Sequence, residues 1–273
     1  MQILHTTSAD GTRLRLGRWG EPGRNLLLVH GLAEHLGRYQ HVGETLAAAG
    51  WRVTAVELRG HGESEGQRGH VQRWIHYVED VRAAAGVAGA DHNPMVAVAH
   101  SMGGLVTLSA IENLVHPPIQ AVALSNPLLK VATDPPAAQV FAARIASRIL
   151  PWLPQSSGLS ADLISRDPEV VARYEADPLV YGTITPRWFC NVLRAQAAVH
   201  AYAGQYDIPL RMMVGTADGI CDHNTALQFA DAWGGPVVKA VYEGLYHELF
   251  NEPEKETVLS ELIAWLDGLT LES

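Results

Sequence analysis

One short segment restricts the possible folds of this chain more than any other. The apolar run 95–99 reads Met-Val-Ala-Val-Ala, and Ser101 follows one residue later. The residues two positions away on either side, Ala99 and Gly103, are very small, and a stretch of helical character runs from 102 to 113. Small residues are needed where the backbones of a strand and a helix pass close together. The segment therefore predicts a strand, a strained turn that raises the Ser101 hydroxyl above the end of a sheet, and a helix.

Apolar residues on both sides of this segment alternate between strand and helix patterns. Strand patterns occupy 25–30, 52–58, 95–99, 121–125, 210–215 and 237–242, and helical patterns occupy 39–46, 74–88, 102–113, 225–233 and 255–269. Asp10 and Gly11 predict a hairpin turn, and His-Pro-Pro at 116–118 is expected to end the helix that follows Ser101. The alternation indicates an α/β fold: a mostly parallel central sheet with helices on both faces.

The alternation stops between residues 127 and 207. This stretch has prolines, helical patches and aromatic residues but few strand signals. We expect it to form an inserted helical cap, with the core made of residues 1–126 and 208–273. A helix predicted over 139–153 has an apolar face, and two interpretations of that face stay open: it packs the cap onto the core, or it lines an acyl tunnel or touches lipid. The candidate substrate-binding residues are Phe141, Ile145, Ile149, Trp152 and Leu153.

Composition argues against several other classes of protein. Hydrophobic residues make up 47% of the chain and charged residues 18%, which is typical of a globular domain. The net charge is −9 and no basic stripe is present, so we expect no nucleic-acid partner. The two cysteines, Cys190 and Cys221, are interpreted as reduced, buried thiols, and no metal site is predicted. The N-terminus lacks a signal-peptide pattern and no run of about 18 apolar residues occurs, so we expect a cytoplasmic protein without a membrane span.

A serine on such a turn needs a histidine as its base and a carboxylate that orients the histidine. His247 follows the last predicted strand and precedes the final helix, and Asp218 closes the strand 210–215. Both residues are therefore expected at the carboxyl edge of the sheet, beside Ser101, where open α/β sheets bind ligands. Asp222 is the rival acid. We prefer Asp218 because it lies closer to the end of its strand and is better fixed.

Two backbone N–H groups are candidates for an oxyanion hole. Gly31 follows the first strong apolar strand and lets the backbone turn, so that the N–H of Leu32 points toward the serine. The N–H of Met102, directly after the serine and at the start of a helix, is the second donor. His30 is interpreted as a residue that braces this loop through hydrogen bonds and not as a catalytic group.

Five motifs that span nearly the whole chain resemble, in their order, the monoacylglycerol lipase family of α/β-hydrolases, including its lysophospholipase-like bacterial members. They are His-Gly-Leu-Ala-Glu-His at 30–35 with Arg-Tyr at 38–39, Leu-Arg-Gly-His-Gly-Glu-Ser at 58–64, His-Ser-Met-Gly-Gly at 100–104, Ala-Asp-Gly-Ile-Cys-Asp at 217–222, and His-Glu-Leu-Phe-Asn-Glu-Pro at 247–253. The resemblance implies an α/β-hydrolase fold, the same triad and the same two oxyanion donors. Ala99 and Glu57 depart from the family pattern, which has glycine and commonly aspartate there.

These observations predict a serine carboxylester hydrolase that works without a cofactor. Through an acyl-enzyme intermediate it would cleave monoacylglycerol-type esters, small lipid-like substrates, to fatty acid and alcohol. The segment 177–180 resembles part of the cap in bacterial relatives and favours such esters. The alternatives are a lysophospholipase, a short-chain carboxylesterase and, more distantly, a non-catalytic binding protein on the same fold. At most a transient contact between the cap and a membrane surface is expected, and the sequence gives no oligomeric state.

Overall fold

The computed structural model of the chain describes residues 1–89, 94–113 and 119–271. The predicted helix end at 116–118 lies outside these residues. The strands are β1 (Gln2–Thr7), β2 (Arg13–Trp19), β3 (Arg24–Val29), β4 (Trp51–Val56), β5 (Met95–His100), β6 (Ile119–Ser125), β7 (Gln155–Ser156), β8 (Thr183–Ile184), β9 (Leu210–Gly215) and β10 (Val237–Tyr242). Eight of them form one sheet in the order β1-β2-β4-β3-β5-β6-β9-β10, and β7 pairs with β8 separately.

The sheet is parallel except at one edge. There β1 and β2 form an antiparallel hairpin through the turn at Asp10 and Gly11, as predicted, and β2 also pairs antiparallel with β4. In the centre, β5 is buried at every position and pairs in parallel with β3 and β6. A strand covered on both faces has apolar residues at successive positions, which explains the continuous run that precedes Ser101.

Helices cover both faces of the sheet. They are α1 (Gln40–Ala48), α2 (Ile75–Ala88), α3 (Met102–Asn113), α4 (Ala137–Ile149), α5 (Pro168–Ala176), α6 (Pro186–Tyr202), α7 (His223–Asp231) and α8 (Lys255–Asp267). One buried cluster joins α2, α3, α6 and α7 to the sheet, and a second joins α1 and α8 to it. This arrangement confirms the predicted α/β-hydrolase architecture.

The stretch between β6 and β9 contains α4, α5, α6 and the small pair β7–β8. α4 ends at Ile149, four residues before the end of the predicted helix at 153, because Pro151 disfavours helical geometry in the residue before it. α6 contacts both α4 and α3, and its Val192 and Val199 belong to the core cluster. The boundaries of the cap at 127 and 207 stay a prediction.

Two further expectations concern the cysteines and the membrane. Cys190 and Cys221 are both free and buried, as expected. No helix among the described residues combines the length and the apolar character needed to cross a membrane. The cytoplasmic location itself stays a prediction.

Candidate active site

Ser101 stands on a strained turn between β5 and α3. Its φ angle is 51°, in the left-handed region that L side chains rarely adopt. The start of α3 lies so close to β3 that a Cβ atom on Gly103 would be 2.4 Å from the carbonyl oxygen of His30. Gly103 is therefore required by packing, which gives the small residue on this side of Ser101 a direct steric cause.

Three side chains from the ends of β5, β9 and β10 form a chain of hydrogen bonds. The Nε2 atom of His247 lies 3.0 Å from Oγ of Ser101, and its Nδ1 atom lies 2.8 Å from Oδ2 of Asp218. All three residues are buried, although 146 positions of sequence separate the serine from the histidine. The structure thus brings together the three residues selected from the sequence, in the geometry of a nucleophile, its base and an orienting acid.

The two candidate acids have different surroundings. The second oxygen of Asp218, Oδ1, accepts hydrogen bonds from the backbone N–H groups of Ile220 and Cys221 at 2.8 and 3.0 Å. Asp222 instead caps the N-terminus of α7, where it accepts a hydrogen bond from the N–H of Thr225 at 2.8 Å. Of the two acids, Asp218 is the one hydrogen-bonded to His247, so the geometry favours it over Asp222.

Burial and charge act in opposite directions on the pKa values of this group. Burial favours the neutral ring of His247, but the charge of Asp218 and its hydrogen bond outweigh burial and raise the pKa of the histidine. Burial also disfavours the Asp218 carboxylate, yet the facing histidine and the two backbone donors leave its pKa lowered. The pair therefore holds a carboxylate next to a histidine that is suited to accept a proton.

The loop after β3 carries the candidate oxyanion donor Leu32 and is held by hydrogen bonds. The N–H of Gly31 donates to Oε2 of Glu34 at 2.8 Å. Because Nε2 of His30 accepts from the N–H of Leu58, its Nδ1 carries the hydrogen and donates to the carbonyl of Gly31 at 2.7 Å. His30 thus braces the loop, as predicted. Within the described residues, neither the N–H of Leu32 nor that of Met102 has an acceptor in the protein, so both remain candidates for oxyanion binding.

A cavity of about 690 Å³ opens above these groups. Ser101, His247 and Leu32 are among its lining residues, and residues of the cap form most of its walls. The lining includes aromatic and aliphatic side chains of α6 and of the segment between α4 and α5. A volume of this size and a mostly apolar wall with a few polar groups are typical of a site for a small, partly apolar ligand.

The five residues expected to bind substrate lie elsewhere, which corrects the expectation. Phe141, Ile145, Ile149, Trp152 and Leu153 are all exposed, between 42% and 65%, and none lines the cavity. The face of α4 that lines it carries Ala142, Ala143 and Ala146. Both faces of α4 carry apolar residues, so the periodicity of the sequence alone does not decide which face lines the cavity. α4 packs against α6, and its large apolar side chains are exposed on the outer face.

The chain matches a family model described as serine aminopeptidase, S33, over residues 20–254. It is also 35% identical to the monoacylglycerol lipase of Mycolicibacterium smegmatis over 90% of this chain and 89% of that one. The chain belongs to the S33 family. This S33 hydrolase is 30% identical to phospholipase YtpA of Bacillus subtilis, over 89% of this chain and 94% of the relative. The crystal structure of Paleococcus ferrophilus monoacylglycerol lipase superposes with a TM-score of 0.85 at 29% identity, covering 97% of this chain and 98% of that one.

One buried polar side chain that holds the histidine loop of this S33 hydrolase was not predicted from the sequence. Asn126 follows β6 with a φ angle of 42° and is buried. Its side-chain amide donates to the carbonyl of His247 at 2.7 Å and to that of Tyr246 at 3.1 Å, while its oxygen accepts from the N–H of Gly215 at 2.9 Å. A single amide thus links the histidine loop to the strand that leads to Asp218. Its position directly after a buried strand, at the carboxyl edge of the sheet, is a signal that could have identified it.

Among the described residues, one group of histidine, cysteine and acidic side chains is compact enough to hold a metal ion. The ligand atoms of Asp218, Cys221 and His247 lie within 4.8 Å of one another. Both ring nitrogens of His247 already have hydrogen-bond partners, namely Asp218 and Ser101. This cluster therefore fits the proton-transfer arrangement described above.

Proposed function

We propose that this hydrolase cleaves monoacylglycerol-type carboxylic esters, with Ser101, His247 and Asp218 as its catalytic triad. The observation that carries the proposal is the continuous path of hydrogen bonds from Ser101 through His247 to Asp218, with the serine and the histidine in the wall of a largely apolar cavity. The class of reaction agrees with the family. The assignment of roles to residues is ours.

The geometry accounts for each proton and bond in the reaction. His247 Nε2 takes the proton of Ser101 as Oγ attacks the ester carbonyl, and Asp218 stabilises the imidazolium that results. The N–H groups of Leu32 and Met102 donate to the oxyanion of the tetrahedral intermediate. The C–O bond to the alcohol then breaks, and His247 returns the proton to the leaving oxygen. Water, activated by the same histidine, releases the fatty acid from Ser101.

The cavity supports a substrate with one extended acyl chain. Its volume of about 690 Å³ is within the range of sites for a single small ligand. Each methylene of the chain that is buried along the wall contributes about 0.8 kcal/mol, so kcat/KM should rise with chain length and then level off. The named relatives include a monoacylglycerol lipase and a phospholipase, and a lysophospholipid is therefore the second candidate substrate.

Large apolar side chains are exposed on the outer face of α4 and directly after it. Phe141 and Ile149 are 64% and 65% exposed, and Trp152 nearby is 56% exposed. Large apolar residues grouped on an exposed surface typically mark a contact with a protein or a membrane. We propose that this surface makes a transient contact with lipid aggregates, from which the cavity takes up its substrate.

A substrate panel with two variants tests these proposals. The wild type is expected to hydrolyse long-chain monoacylglycerols with a higher kcat/KM than short esters or triacylglycerols, and Ser101→Ala is expected to lose nearly all of that activity, about 10⁴-fold or more. A F141S/I149S variant should bind lipid vesicles less well and keep its activity on a dissolved short-chain ester. Near-normal turnover by folded Ser101→Ala would refute the mechanism. A steady fall in kcat/KM beyond butyryl esters would favour a short-chain carboxylesterase.

A further inference from the structure

A short segment of the cap runs beside the loop that carries His247. The N–H of Glu248 donates to the carbonyl of Ile164 at 2.8 Å, and the N–H of His247 lies 3.5 Å from the carbonyl of Leu163. Further along, the hydroxyl of Ser165 donates to the carbonyl of Asn251 at 2.9 Å. Residues 163–165 and 247–251 are thus joined by successive hydrogen bonds, although more than 80 positions separate them in the sequence. The contacts include the backbone of the histidine itself.

An ion pair anchors the end of this segment. The backbone N–H of Arg166 donates to Oε1 of Glu252 at 2.7 Å, and its side-chain Nε donates to Oε2 at 2.5 Å. The Glu252 carboxylate has no exposed surface, while the Arg166 side chain is 34% exposed and also pairs with Glu254 at the surface. A buried carboxylate that loses its cation is strongly destabilised where it lies. The position of the histidine loop therefore depends on an arginine of the cap.

The same segment also touches the loop of the acid. A Cβ atom placed on Gly219 would lie 3.0 Å from Cδ2 of Leu163, so this leucine packs against the backbone next to Asp218. Leu163 and Ile164 both line the cavity. One stretch of the cap thus contacts both loops that supply side chains to the Ser101 site, and the wall of the cavity as well.

We propose that residues 163–166 of the cap position His247 against Asp218 and Ser101, and that the Arg166–Glu252 ion pair holds this segment in place. Arg166 is a positioning residue, because it acts on the reaction through the histidine loop. The proposal rests on the proposed function of the triad. It gives this part of the cap a role in the chemical step in addition to its role as a wall of the substrate cavity.

The expected signature is a loss in kcat that leaves KM nearly unchanged. A displacement of about 1 Å in a reacting group costs up to about 100-fold in rate, so we expect Arg166→Met to lower kcat about 10-fold or more. The pH dependence should change as well. Burial by itself lowers the pKa of His247, and the contact with Asp218 raises it. A histidine displaced from Asp218 therefore becomes the free base at lower pH, and the acid limb of the kcat/KM profile should move down.

Several charged or titratable groups besides Arg166 act on the pKa of His247. Asp218, Glu248 and Glu34 raise its pKa, and His100, whose ring centroid lies 4.6 Å away, carries no charge near neutral pH because burial lowers its own pKa to about 4. None of these groups is changed in Arg166→Met. The lost cation and the unpaired Glu252 carboxylate would by themselves raise the pKa of His247, so an acid limb that moves down reports a changed position of the histidine.

The experiment compares Arg166→Met with Arg173→Met, using a dissolved p-nitrophenyl ester over a range of pH. Arg173 lies on α5 and pairs with Glu169 in an exposed i,i+4 ion pair, so this control makes the same substitution in the cap away from the histidine loop. Arg166→Lys keeps the charge and should recover much of kcat. If the methionine variant does not fold, Arg166→Gln, which removes the charge but keeps a hydrogen-bond donor near Glu252, takes its place. Melting temperatures of all proteins are measured in parallel.

Three results are distinguishable. A lower kcat and a shifted acid limb in Arg166→Met, with neither change in Arg173→Met, support the proposal. An active wild type together with a folded Arg166→Met that keeps its kcat and pH profile overturns the proposal and leaves the proposed function intact. A wild type without ester hydrolysis refutes the proposed function, and the positioning role with it.

Discussion

Replacing Asp218 by asparagine should reverse the hydrogen bonding of His247. Oδ1 of Asp218 is held by the N–H groups of Ile220 and Cys221, so the asparagine oxygen must occupy that position and its NH₂ group must face the histidine. An NH₂ group donates a hydrogen bond, and Nδ1 of His247 must then accept one. The hydrogen moves to Nε2, which can no longer take the proton of Ser101.

The size of the effect follows from this wrong tautomer. The same aspartate-to-asparagine change in the triad of a serine protease lowers kcat about 10⁴-fold, which at about 1.36 kcal/mol per decade corresponds to about 5.4 kcal/mol of lost transition-state stabilisation. Asp222→Asn is the matched control. Asparagine caps a helix about as well as aspartate, so the bond to Thr225 is retained and kcat should stay within about twofold of the wild type.

Initial rates on a p-nitrophenyl ester, with circular dichroism to verify folding, measure both variants. The acid assignment is refuted if Asp222→Asn loses more activity than Asp218→Asn. It is also refuted if a folded Asp218→Asn keeps kcat within about tenfold of the wild type, because a histidine in the wrong tautomer does not support such a rate.

Three other predictions concern pH, the histidine loop and the cavity. The pKa of His247 is raised and its neutral form is the base, so kcat/KM should rise with pH with a midpoint above 6.5, and activity should be lost as the pH falls through that midpoint. A midpoint under 6.5 would contradict the pairing with Asp218. Asn126→Asp turns a carboxylate toward the carbonyls of His247 and Tyr246. Steady-state kinetics should show a fall in kcat of about tenfold, and urea unfolding should show a fall in the free energy of unfolding of about 3 kcal/mol. Ala146→Phe fills the cavity, so kcat/KM should fall for long acyl chains and not for acetyl esters.

Much of the fold could be predicted because its signals are local. A buried strand such as β5 has apolar residues at every position, and an amphipathic helix repeats them at helical spacing. The predicted strands 210–215 and 237–242 agree with the structure residue for residue. The hairpin at Asp10 and Gly11 was likewise visible, because its turn chemistry lies in adjacent residues.

The candidate triad could be predicted from the sequence because of the topology of a parallel sheet. The carboxyl ends of parallel strands lie at one edge of a sheet, so residues that follow β5, β9 and β10 gather there however far apart they are in the chain. That rule places Ser101, Asp218 and His247 near one another. It gives neither their distances nor the choice between Asp218 and Asp222, which the structure addresses through the capping bond of Asp222.

The sequence by itself determined the order of strands and helices in the core, the turn at Ser101 and the edge of the sheet at which chemistry is expected, because each depends on residues close in the chain or on a general rule of sheet topology. Only the tertiary structure decided which face of α4 lines the cavity and which residues hold the histidine loop. The cavity face of α4 depends on its packing against α6. Asn126 and Arg166 act across 121 and 86 positions. Contacts over such distances are set by how the cap and the loops pack together in space, and they leave no periodic pattern in the sequence.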